Sequence, residues 1–96
     1  MKIVQTQLPA GSDLSGIELL GQVAGDAIVS EAKAVIRGQI IGNLRVASGA
    51  SVEIYGHIGG DVLAEGAVVL YGWVQGRVTA GPFGSVTRMP GSIVER

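Results

Sequence analysis

With 96 residues the chain is sized for one small domain, and a hydrophobic share of 47% against 16% charged residues calls for an aliphatic core, since aromatics make up only 4%. The lack of cysteine excludes disulfides, thiolate metal sites and a cysteine nucleophile. A formal net charge of −1 supplies no basic field for a phosphate backbone, so nucleic acid is not expected as a partner.

The chain opens on Met1-Lys2-Ile3-Val4, whose two apolar residues after the lysine offer only weak membrane association. Next comes the turn-rich stretch Leu8-Pro9-Ala10-Gly11-Ser12, and residues 1–13 read as a short N-terminal tail leading into a domain at 14–96. There is no charged-then-apolar leader of signal-peptide length and no apolar run long enough to span a bilayer, so the expected location is the cytoplasm, with at most peripheral membrane contact.

From residue 14 onward one motif recurs: a glycine, an apolar residue two positions later and a second glycine four positions later. It stands at Gly21-Gln-Val23-Ala-Gly25, Gly38-Gln-Ile40-Ile-Gly42, Gly56-His-Ile58-Gly-Gly60 and Gly72-Trp-Val74-Gln-Gly76, with first glycines 17, 18 and 16 residues apart. Between motifs the apolar residues alternate with period two, as in strands, and no stretch carries a helical stripe. A unit of short strands and glycine corners at this period is the signature of a stacked repeat. The predicted fold is all-β, a single-stranded β-solenoid of about four to five coils of 16–19 residues.

Within each coil the expected inward positions lie four and two residues before the first glycine: Ile17 and Leu19, Ala34 and Ile36, Val52 and Ile54, Val68 and Leu70. Further columns are Val23, Ile40, Ile58 and Val74; then Ala27, Leu44, Val62 and Val78; then Val29, Val46, Ala64 and Ala80. Two core residues from each of three short strands fit a triangular cross-section. After the second glycine stand Asp26, Asn43, Asp61 and Arg77, read as turn residues bonding their local backbone rather than as cation ligands. Beyond Gly81 the pattern loosens through Pro82-Phe83-Gly84 and resumes through Val86, Thr87 and Met89 to Gly91-Ser-Ile93.

The outward residues flanking the first glycine are Leu20, Arg37, Tyr55 and Tyr71 on one side and Gln22, Gln39, His57 and Trp73 on the other. Tyr55, His57, Tyr71 and Trp73 therefore gather in neighbouring coils, either as a patch for a protein partner or as a stacking ladder. His57, the single histidine, has no cysteine or suitably spaced carboxylate to build a zinc site and no evident partner for base catalysis. No catalytic residue, metal or cofactor is expected, and the chain reads as a non-enzyme. The glycine motifs open strands, whereas a phosphate-cradling loop opens a helix.

The formula glycine–x–apolar–x–glycine–Asp/Asn, carried by Gly25-Asp26, Gly42-Asn43 and Gly60-Asp61 with the Val52, Ile54, Val68 and Leu70 columns, resembles the bactofilin family over about residues 15–80. The resemblance implies a right-handed, three-sided β-helix that polymerises end to end without nucleotide as a cytoskeletal scaffold at the membrane. Locally, Val68-Val-Leu-Tyr71-Gly72-Trp-Val-Gln-Gly76-Arg77 with Glu53-Ile-Tyr55-Gly56 is similar to the carboxy-terminal β-helical domain of the division inhibitor MinC, which implies a dimeric binding module. Open coil edges invite strand pairing with further copies, giving a homo-oligomer or polymer. The residues expected to carry self-assembly are Ile17 and Leu19 at one end and Phe83, Val86 and Met89 at the other. The alternative is a closed dimer presenting Tyr55, His57, Tyr71 and Trp73 to a protein partner.

Overall fold

The structure, a computed structural model, describes residues 2–95. The first coil consists of β1 (Lys2–Val4), β2 (Gln7–Leu8) and β3 (Ser12–Asp13). The second holds β4 (Ile17–Leu19), β5 (Gln22–Val23) and β6 (Ala27–Val29), and the third β7 (Lys33–Ile36), β8 (Gln39–Ile40) and β9 (Leu44–Val46). The fourth contains β10 (Ser51–Ile54), β11 (His57–Ile58) and β12 (Val62–Ala64), and the fifth β13 (Ala67–Leu70), β14 (Trp73–Val74) and β15 (Val78–Ala80). β16 (Ser85–Arg88) and β17 (Ile93–Val94) begin a sixth.

Strands of equal place in each coil pair in parallel, forming three sheets in the orders β1-β4-β7-β10-β13-β16, β2-β5-β8-β11-β14-β17 and β3-β6-β9-β12-β15. The chain is thus a three-sided β-solenoid of about five turns without helix among the described residues, so no helix there is long and apolar enough to cross a membrane. Parallel pairing with both ends of each short strand at a corner leaves one face of every sheet inward, which is why the apolar residues fall into columns.

The interior is wholly aliphatic. Leu19, Val23, Val29, Ile36, Ile40, Val46, Ile54, Ile58, Leu70 and Val74 are fully enclosed, and no polar or charged residue is buried among the described residues. The corner residues Leu14 and Ala50 join this core. Ala80 is exposed where its column runs out, and Ile17 is half-buried.

One expectation is corrected by the register. Residues 2–13 are not a tail: β1 pairs with β4, β2 with β5 and β3 with β6, so they form a complete first coil. Asp13 ties that coil to the next, its Oδ1 accepting from the Ser15 N–H at 2.9 Å and the Ser15 hydroxyl at 2.6 Å while Oδ2 accepts from the Ser30 hydroxyl. Hydrogen bonds from Ser15 and then Ser30 lower the Asp13 carboxyl from 3.8 to about 2.

The glycine columns mark where successive coils approach most closely. A Cβ on Gly38, Gly56 or Gly72 would run into the carbonyl oxygen of the corresponding glycine one coil earlier, and on Gly21 into the carbonyl of Thr6. The first coil carries Thr6 and Ala10 in the two glycine places.

The second glycines serve the other corner. Asn43 N–H donates to Asp26 Oδ1 at 2.9 Å, Asp61 N–H to Asn43 Oδ1 at 2.7 Å and Arg77 N–H to Asp61 Oδ1 at 2.9 Å. Each side chain thus bonds the next coil's backbone, where the sequence suggested its own. The oxygens of Asp26, Asn43 and Asp61 fill the space that a Cβ on Gly42, Gly60 or Gly76 would take.

Candidate functional site

At the corner between the first and second sheets, the residues flanking the glycine column stand out as two parallel rows. One is Leu20, Arg37, Tyr55 and Tyr71; the other is Gln22, Gln39, His57 and Trp73, extended by Gln7 at one end and Ile93 at the other. Between them, floored by Gly21, Gly38, Gly56 and Gly72, lies an open groove of about 710 Å³ along the stack. The spacing of coils, about 4.8 Å, is close to ring-stacking distance, so equal positions in successive coils bring flat side chains face to face.

The rows are tightly ordered. The Tyr55 and Tyr71 rings stack with centroids 4.5 Å apart and planes within 6°. The Arg37 guanidinium carbon sits 4.7 Å from the Tyr55 ring centre while Arg37 Nε bonds Glu18 at 2.7 Å. The Tyr55 hydroxyl donates to Glu53 at 3.1 Å, and Lys33 reaches the same carboxylate at 2.8 Å. Lys33, and after it Tyr55, hold the Glu53 carboxyl below the usual range, and the bond to Glu53 raises the Tyr55 phenol.

In the second row His57 and Trp73 lie 4.4 Å apart with a 37° tilt, and Gln39 Nε2 is 3.3 Å from His57 Nδ1. The His57 Nε2 is enclosed and makes no hydrogen bond among the described residues. Tyr55, His57, Tyr71 and Trp73 are therefore brought together as stacked pairs, in which Tyr55, Tyr71 and Trp73 keep 39%, 38% and 40% of their surface.

The residues expected to carry self-assembly fare differently. Leu19 is fully buried in register with Val4, and Ile17 is paired with Lys2, so both lie inside the stack and not at its end. Val4 and Leu8 of the first coil take that place, each half-buried. At the other end Phe83 is 90% exposed in the corner between β15 and β16, and Val86 is half-buried on β16. Met89 is not in an inward column: its N–H donates to the Leu70 carbonyl as the Tyr71 N–H does to Ile54, which places it beyond Tyr71 in the outward row. Arg88 takes the inward register above Leu70, a placement the sequence did not suggest.

Comparison with known proteins adds no neighbour: no family model, curated protein or solved structure matches the chain.

Proposed function

We propose that the chain is a structural protein whose copies join through their end coils into nucleotide-independent polymers, the role the bactofilin resemblance implies. The observation that carries this reading is the state of the two end coils. Val4 and Leu8 at one end, and Val78, Val86 and Val94 at the other, continue the buried columns yet remain only partly covered. Beside them the outer edges of β1, β2 and β3 and of β15, β16 and β17 carry no further strand among the described residues. An uncovered apolar column flanked by unpaired backbone groups is completed by another strand-bearing edge, and a second copy presents one.

Leu8→Asp and Val94→Asp place a charge in the second-sheet column, which runs through Val23 and Val74 and holds no cation, and are expected to abolish assembly while the far-ultraviolet β signal stays intact. Phe83→Asp extends the test to the neighbouring corner. Polymers of normal length from all three variants would remove end-coil joining as the mechanism.

A second reading rests on a separate observation: Leu20, Tyr55, Tyr71, Trp73 and Ile93, each 38% to 53% exposed, line a single groove. Such a concentration of exposed apolar side chains suits a protein interface. A discrete dimer in place of polymers, with partner binding lost in Trp73→Ala, would favour this module.

A further inference from the structure

Two inward columns of the first sheet each carry a cation at one end. In the first sheet one column reads Lys2, Ile17, Ala34, Val52, Val68, Val86 and its neighbour Val4, Leu19, Ile36, Ile54, Leu70, Arg88. Each end of the stack therefore places a cation where every inner coil has an aliphatic residue. Both Lys2 and Arg88 are exposed, and neither makes an ion pair among the described residues.

Any end-to-end joint encloses these cations. Joining unlike ends sets Arg88 against Val4 and Val86 against Lys2, two like charges on one strip; joining like ends brings two Arg88 or two Lys2 together. The carboxylates of the end coils do not answer them: Asp13 stands at outward parity beside Ile28 and is engaged by Ser15 and Ser30, and Glu95 follows the inward Val94 on another sheet. A cation shut into an apolar strip without a counter-charge opposes closure, and inward charges on edge strands are a known guard against uncontrolled strand addition.

We propose that Lys2 and Arg88 gate the joining of copies, so that end-to-end contact requires a small multivalent oxyanion at the joint to neutralise the enclosed cations. This rests on the polymer reading and concerns how its contacts are controlled.

The test is the critical concentration for sedimentable assembly of the full chain, wild type against Arg88→Leu, Lys2→Ile and the double variant, in chloride and in inorganic phosphate at equal ionic strength. Thr87→Leu, which adds the same apolar surface at outward parity, is the control. Phosphate is expected to lower the wild-type critical concentration. The double variant should assemble in chloride at a concentration lower by about tenfold or more, and lose the phosphate response. Thr87→Leu should match wild type.

If wild type assembles and the variants neither shift the critical concentration nor lose the phosphate response, the gate is refuted while the polymer reading stands. If neither wild type nor the double variant assembles although both are folded by circular dichroism, the cations are not what holds the ends apart, and both readings fall.

Discussion

Tyr71 lies flat on Tyr55, ring centroids 4.5 Å apart and planes within 6°, because both occupy the position before the first glycine in successive coils. The pair should therefore show energetic coupling beyond the area each ring buries. A double-mutant cycle with Tyr55→Ala and Tyr71→Ala, read by denaturant unfolding, is expected to return a coupling of about 0.5–1 kcal/mol. Independent, additive losses would mean the stack is only a geometric coincidence of the repeat.

The glycine corners give a sharper contrast. Gly56→Ala drives a Cβ into the Gly38 carbonyl oxygen and is expected to cost roughly 1–3 kcal/mol. Gly81→Ala, whose Cβ would meet nothing nearer than Glu65 Cγ at 3.6 Å, is expected to be neutral or slightly stabilising. Equal losses at both sites would show that close approach between coils is not what selects glycine.

Ala32 holds a φ of 60°, the left-handed region that a side chain disfavours. Ala32→Gly relieves that strain and gives back part of the gain through the more flexible unfolded chain. The expected net effect on thermal unfolding is a stabilisation of about 0.5–1 kcal/mol. A loss of stability would mean that the methyl group makes a contact outweighing its backbone strain.

Acid should loosen the first coil. The Asp13 carboxyl, held at about 2 by Ser15 and Ser30, lies below its ordinary 3.8. Between these values the unfolded chain binds more protons than the folded one, so the contribution is present above 3.8 and is lost as pH falls through about 2. Wild type should lose Tm more steeply over that window than Asp13→Asn, whose side chain does not titrate. Parallel pH profiles would contradict the account of this staple.

Much of this architecture was legible in the chain. Glycine spacing and period-two alternation are local signals, and they gave the strands, the columns and the Tyr55 and Tyr71 ladder, since equal motif positions stack. What was missed follows from the same rules. The first coil carries Thr6 and Ala10 where later coils carry glycine, so the motif spacing passes over it. In the last coil, Gly91 and Ser92 lengthen the corner, so counting back from Gly91 puts Thr87 and Met89 inward. The hydrogen-bond register instead selects Val86 and Arg88. The bonds that Asp26, Asn43 and Asp61 accept run between coils, a contact that no local turn rule expresses.

The central claim is that copies of this chain join end to end, and negative-stain electron microscopy of the purified chain in nucleotide-free phosphate buffer, with size exclusion on the same sample, tests it most directly. Filaments or sheets and a void-volume peak are expected. A sharp monomer or dimer peak with no polymer on the grid, across the concentration range where the chain stays folded, would contradict it.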